Sequence, residues 1–131
     1  MVITGASRGI GARGIAPAFV EAGVKAIVLI ATNAAKLANV EEELKIINPD
    51  VETLSLSVEV SSRDQVATAC LEIKARYYKV DILINNAGVE TTDSDNTHEQ
   101  DPEIFFRNFV SPYQQPLVTS KGWSVQQSVR S

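Results

Sequence analysis

The chain has 131 residues, 44% hydrophobic and 21% charged, which is room for one ordinary folded domain and excludes disordered and collagen-like chains. Twelve Lys and Arg against sixteen Asp and Glu leave a net charge of −4, which argues against nucleic acid or an anionic membrane surface as the main partner. No apolar run approaches the roughly 20 residues that cross a bilayer. Residues Met1–Gly5 carry no basic region ahead of an apolar stretch, and the single Cys70 has no internal partner for a disulfide, so the expected setting is the cytoplasm.

Residues 1–4 form a short apolar run that ends in the glycine-rich stretch Gly5-Ala6-Ser7-Arg8-Gly9-Ile10-Gly11. A helix is predicted from there to Ala22, with Ile15 and Phe19 one turn apart and Gly23 as its stop. Pro17 falls in its interior, where the missing N–H costs about 3 kcal/mol unless the helix kinks. Ala26-Ile27-Val28-Leu29-Ile30-Ala31 is continuously apolar with β-branched members, the pattern of a strand buried on both faces. Asn33 is placed to cap a helix bearing Leu37, Val40, Leu44 and Ile47, which Asn48-Pro49-Asp50 ends.

Leu54, Leu56, Val58 and Val60 then alternate with Ser55, Ser57 and Glu59, giving a strand with one wetter face. Ser61-Ser62-Arg63-Asp64 resembles a capping box with Asp in place of Glu, opening a helix with Val66, Cys70, Ile73 and Tyr77 on one stripe. Cys70 is expected in the core. Asp81–Asn85 reads as a fourth strand running into Asn86-Ala87-Gly88. Strands alternating with helices over short connections specify a parallel sheet with helices on its faces.

The texture changes near residue 88. Residues 89–131 hold three basic and six acidic groups, with the acidic surplus between Glu90 and Glu103. Residues 89–101 read as a polar loop, in which His98 is most simply a solvated residue; no metal site is assigned. Pro102 suits the first turn of a helix carrying Phe105, Phe106 and Phe109, interrupted by Pro112 and Pro116.

Gly9-x-Gly11-x-x-Gly14 matches the dinucleotide fingerprint, but that pattern should begin directly after a strand, and the strand here ends at Thr4. Gly5-x-x-x-Gly9-x-Gly11 is better placed, at the strand-to-helix turn. Glycines there permit a tight turn and let backbone approach a pyrophosphate, whose charge favours a helix N-terminus.

Thr4-Gly5-Ala6-Ser7-Arg8-Gly9-Ile10-Gly11, followed three βα units later by Asn85-Asn86-Ala87-Gly88, resembles the cofactor turn TGxxxGIG and the NNAG element of the short-chain dehydrogenase/reductase family. The resemblance covers residues 1–88 well and 89–121 loosely; residues 122–131 are unplaced. It implies one partial NAD(P)-binding domain over residues 1–131: an α/β, Rossmann-type doubly wound parallel sheet with helices on both faces, truncated after about four strands. It implies that Gly5, Ser7, Arg8, Gly9, Ile10 and Gly11 line the pyrophosphate and adenosine-ribose site. Glu59 and Val60 stand where the family has Asp-Val against the adenine. Asn86, Ala87 and Gly88 pass beneath the cofactor ribose and stabilise the central strand. Asn108 falls where the family keeps an active-site Asn that holds a water in a proton relay.

NAD-binding members place an acidic residue at the end of the second strand, against the ribose 2′-hydroxyl. Here that end is Ala31-Thr32-Asn33, with no Asp or Glu between Glu21 and Glu41. Arg8 is suited to a 2′-phosphate, with Thr32 or Asn33 donating hydrogen bonds. The expectation is NADP in preference to NAD.

The family's chemistry needs a Tyr with a Lys four residues on, and a Ser that polarises the substrate. Four residues after Tyr77, Tyr78 and Tyr113 stand Asp81, Ile82 and Leu117. Of the catalytic set only Asn108 has a counterpart. The chain therefore reads as the cofactor-binding half of an oxidoreductase acting on a small alcohol or carbonyl, inactive alone. The alternatives are a non-catalytic dinucleotide-binding module and an interaction protein pairing through an open edge at Ile82–Ile84. A homo-oligomer fits either.

Overall fold

The computed structural model describes residues 1–88, together with two short backbone segments at 117–118 and 125–126. Strand β1 (Val2–Thr4) enters a turn, and a π-helical segment over Gly11–Ile15 leads into α1 (Ala16–Glu21). Then follow β2 (Ala26–Ala31), α2 (Ala34–Ile47), β3 (Glu52–Ser57), α3 (Arg63–Arg76) and β4 (Leu83–Ile84). A separate pair, β5 (Leu117–Val118) and β6 (Val125–Gln126), is antiparallel.

The strands order as β3-β2-β1-β4 and every neighbouring pair is parallel. This is the doubly wound α/β arrangement predicted. Its two faces separate by alternation along β2. Ile27, Leu29 and Ala31 join Ile3 beneath Ala12, Ala16 and Val20 of the first helix and Leu37, Val40 and Leu44 of α2. Val28 and Ile30 join Val2, Leu56 and Val58 on the opposite face, beneath Ala69 and Ile73 of α3. Fully buried side chains such as Ile3, Leu29 and Ile73 each contribute about 1.5–3 kcal/mol.

Pro17 does not break its helix. It stands in the first turn of α1, directly after the π-helical segment, where the Ala16 N–H reaches back five residues to the Gly11 carbonyl. The ladder has already widened when the residue without an N–H arrives, so the strain is absorbed as one loose turn. The widened turn keeps Ala12, Ala16 and Val20 on the buried side, with Ile15 and Phe19 beside them. Gly23 ends the helix as expected, in a Schellman closure: its N–H bonds the Val20 carbonyl and that of Val24 the Phe19 carbonyl, both at 3.0 Å.

Of the other expectations, the Asn33 cap holds and the rest are corrected in detail. Asn33 caps α2, its Oδ1 accepting the Lys36 N–H at 2.9 Å. Ile47 stays 40% exposed at the last helical position, and Val51 at 4% enters the core instead. The alternating strand lies at 52–57, two residues earlier than its sequence pattern, and β4 is the pair 83–84, shorter than the apolar run. No capping box forms at Ser62, whose side chain makes no cap hydrogen bond. Cys70 is only half-buried; Ala69 takes the core position, one residue earlier on α3.

Candidate functional site

The strand order reverses between β1 and β4, and in open α/β sheets ligands bind outside the carboxyl ends of the strands at such a point. The glycine turn and Asn85-Asn86-Ala87-Gly88 both leave the sheet there. They are bound together from both sides. The buried Thr4 Oγ1 accepts the N–H of Asn86 and of Ala87, each at 3.0 Å, and lies 3.5 Å from the Ile84 carbonyl. In return, Asn86 Nδ2 donates to the carbonyls of Thr4 and Gly5, each at 3.2 Å.

This crossing leaves no room for side chains. Gly5 has φ +67°, and a Cβ on it would lie 2.7 Å from Ala87 Cα; one on Gly11 would lie 2.6 Å from both Asn86 Nδ2 and the Gly5 carbonyl oxygen. Backbone packed this closely is why the turn is written in glycine. Ala6 is buried and its N–H bonds the Ile30 carbonyl at 3.1 Å, fixing the turn to β2 as well.

The outer side of the same turn is open. Gly9 has φ +60° and no atom within 4 Å of where its Cβ would be. Arg8, Gly9 and Ile10 are exposed, Ile10 to 73%, and Ser7 is half-buried. No acidic residue occupies the first turn of the helix that follows, so its N-terminal partial positive charge is unopposed. An empty space against bare backbone, at a helix N-terminus and beside an arginine, suits a phosphorylated ligand.

The turns after β2 and β3 complete the rim. Thr32 is exposed, and its carbonyl accepts the Ser57 hydroxyl at 3.0 Å. Asn33 spends its side-chain oxygen on the cap of α2, so only its amide nitrogen is left as a donor to a ligand. Val58 bonds the Ala31 carbonyl through its N–H at 3.0 Å, which brings the exposed Glu59 and half-buried Val60 to the same end of the sheet.

The fold thus collects Gly5, Ser7, Arg8, Gly9, Ile10, Gly11, Thr32, Glu59, Val60, Asn86, Ala87 and Gly88 at one end of the sheet. Asn108 lies outside the described residues, as do His98, Tyr113 and Trp123. Thr4 escaped the sequence reading because a Thr at a strand end is ordinary; the signal available was a β-branched hydroxyl directly before a glycine turn. Among the described residues no group of His, Cys, Asp and Glu could hold a metal ion. None of their helices is long and apolar enough to cross a membrane. Burial pushes the Cys70 thiol above its ordinary pKa, so it is not an activated nucleophile.

Comparison with known proteins agrees with this geometry. Residues 1–116 match the profile of the short chain dehydrogenases. The chain is 38% identical over 87 residues to 2-dehydro-3-deoxy-D-gluconate 5-dehydrogenase of Pseudoalteromonas atlantica, covering 66% of this chain and 33% of that protein. Among solved structures, a metagenomic short-chain oxidoreductase in complex with NADP superposes with a TM-score of 0.69 and 32% identity, covering 86% of this chain and 51% of that one. NAD+-bound xylitol dehydrogenase superposes with a TM-score of 0.73 and 25% identity over 86% of this chain and 43% of that one. The chain spans about a third of the curated relative and about half of the solved structures.

Proposed function

Because the chain belongs to the short-chain dehydrogenase family, we propose that residues 1–88 hold the dinucleotide of an NAD(P)(H)-dependent oxidoreductase acting on a small alcohol or carbonyl. One observation carries this reading: the glycine turn is clamped to the exit of β4 at the strand-order reversal, with its outer face open at Gly9. Gly9, Ile10 and Ser7 would receive the pyrophosphate, Glu59 and Val60 the adenine, and Asn86–Gly88 the far ribose. The nicotinamide supplies or accepts the hydride. The residues described here bind and orient, and none of them moves a proton.

The reading favours NADP. Arg8 is exposed within the turn, and the end of β2 presents Thr32 and Asn33 with no carboxylate to repel a 2′-phosphate. Calorimetric titration of the 131-residue chain should give tighter binding of NADPH than of NADH. Equal affinities would remove the case for Arg8, and absence of binding to either would remove the reading itself.

Catalysis by this chain alone is not expected, since no Tyr in it has a Lys four residues on. Asn108 keeps its assigned role as a water-holding residue in this proposal. Steady turnover of a carbonyl substrate by the isolated chain would contradict it. A second reading, pairing through a sheet edge, is favoured by one feature. β4 is an edge strand of the described sheet, with Ile82 beside it 39% exposed. If two copies pair there, Ile82→Lys should abolish self-association seen by sedimentation without unfolding the chain.

A further inference from the structure

The described sheet has a second open edge, at β3. In a parallel ladder alternate residues bond the same neighbour. The Glu52 N–H reaches the Lys25 carbonyl and the Val58 N–H the Ala31 carbonyl, each at 3.0 Å. Pairing between these points is one to one, so Leu54 and Leu56 also face β2. Thr53, Ser55 and Ser57 therefore direct both N–H and C=O outward, where β3 has no neighbour among the described residues. Proteins blunt such an edge with Lys, Pro or a bulge. The strand Glu52–Ser57 carries none of these.

A groove of about 370 Å³ runs between this edge and α3. The buried Leu56, Val58 and Ala69 form its floor, and Asp64, Thr68 and Glu72, at four-residue spacing on one stripe of the helix, form its wall. Both carboxylates are exposed, and neither has an ion-pair partner among the described residues; Arg76, one turn beyond Glu72, is spent on Glu52 at 3.0 Å. Asp64 and Glu72 are eight residues apart, about 12 Å along a helix axis. Residues i and i+4 of an extended strand share a face and lie about 13 Å apart. We infer that the outer edge of β3 takes up an extended segment of a partner protein as a further strand, with basic side chains at i and i+4 against Asp64 and Glu72. A small apolar side chain at i+2 then lies over Ala69. The match holds whichever way the added strand runs, because i and i+4 exchange places. Main-chain hydrogen bonds to Thr53, Ser55 and Ser57 supply the affinity, and the carboxylates select the partner. A second copy of the chain fits less well: antiparallel pairing of β3 with itself sets the two acidic walls on one face, carboxylates against carboxylates. None of this depends on a bound dinucleotide.

The probe is the capped peptide Thr-Lys-Thr-Val-Thr-Lys-Thr, titrated calorimetrically into the 131-residue chain, with Glu in place of both Lys as the control. The Lys peptide should bind about tenfold or more tightly than the Glu peptide. Glu72→Gln should weaken it by about two- to fivefold, the range of one exposed ion pair, at an unchanged melting point. Peptide at ten times its Kd should slow amide exchange at Thr53, Ser55 and Ser57 by about tenfold, since only the free fraction exchanges. Equal binding of the two peptides, or no binding, would overturn the inference. So would a bound Lys peptide that leaves the three amides exchanging as before. Sedimentation supplies the remaining outcome. A chain whose self-association survives Ile82→Lys and is lost in Ser55→Pro has a second copy on this edge, and the basic segment is then ruled out. Pro at this position removes only an outward N–H, so the ladder with β2 stays intact.

Discussion

Gly5 and Gly9 share a backbone conformation, with φ of +67° and +60°, yet adding a methyl group to each should have opposite consequences. At either position an alanine costs about 1–2 kcal/mol for the left-handed conformation alone. At Gly5 the new Cβ would also lie 2.7 Å from Ala87 Cα and 2.9 Å from Ala87 N, both backbone atoms of a segment held by Thr4. Moving that segment adds an overpacking cost of about 1–3 kcal/mol, for a total of about 2–5 kcal/mol. Domains are stable by about 0.05–0.15 kcal/mol per residue, so Gly5→Ala should remove a large fraction of the total. Gly9→Ala meets no atom within 4 Å and should cost only the conformational part. The methyl would instead fill the space proposed for the pyrophosphate, lowering dinucleotide affinity by more than about tenfold, or 1.4 kcal/mol. Urea denaturation followed by circular dichroism, with titration of NADPH, separates the two effects. Equal destabilisation by both variants, or a Gly9→Ala chain that binds NADPH as wild type does, would refute the reasoning.

Thr4→Val keeps the shape of a buried side chain but withdraws the acceptor of two N–H groups, and should cost about 1–3 kcal/mol, read as a lower urea midpoint at unchanged slope. Asn33→Ala removes the cap of α2 and should cost about 1 kcal/mol in the same measurement. Burial holds the Cys70 thiol protonated past its ordinary range, so alkylation of the folded chain should begin to accelerate at a higher pH than that of free cysteine. The linkage has the matching sign. The unfolded chain ionises first, so the contribution of Cys70 to stability is intact below the ordinary thiol pKa and declines as pH rises beyond it. A folded-state alkylation profile that coincides with free cysteine would show the thiol to be solvated.

The parts of this fold that were legible in the sequence are those in which one residue type answers one local demand. The continuous apolar run at 26–31, rich in β-branched residues, reads as a strand covered on both sides, and Asn33 before an amphipathic run reads as a cap. What escaped were choices made between distant segments. Val51 displaces Ile47 from the core because the helix ends before its last apolar residue reaches the sheet, and Ala69 displaces Cys70 because α3 presents a narrow inner stripe. Pro17 was read as a defect since propensity considers one residue at a time, while the chain accommodates it with the wider turn upstream. Ser61-Ser62-Arg63-Asp64 looked like a capping box, but Ser62 stands at the N-cap with no side-chain cap bond and the third helical residue, Gln65, turns to Glu59. At the site itself, the glycines were legible and their reason was not: it is Asn86, which bonds the Gly5 carbonyl from 81 residues further along the chain, that together with that carbonyl forbids a side chain at Gly11.

That long-range contact also says why the two motifs belong together physically. A glycine-rich turn alone is the most conformationally free segment a chain can have, and would lose much of any binding energy to ordering. Here the ordering is done in folding. The Asn86 amide bonds two successive carbonyls of the turn, and the Thr4 hydroxyl bonds two successive N–H groups of the opposite segment. Each side chain satisfies backbone groups that leave the sheet ladder at the point where β1 and β4 diverge, which would otherwise have to find water. The same four hydrogen bonds thus close the end of the sheet and hold the outer face of the turn open at Gly9. Site and fold are therefore coupled through β4: anything that loosens its pairing with β1 should loosen the turn in proportion.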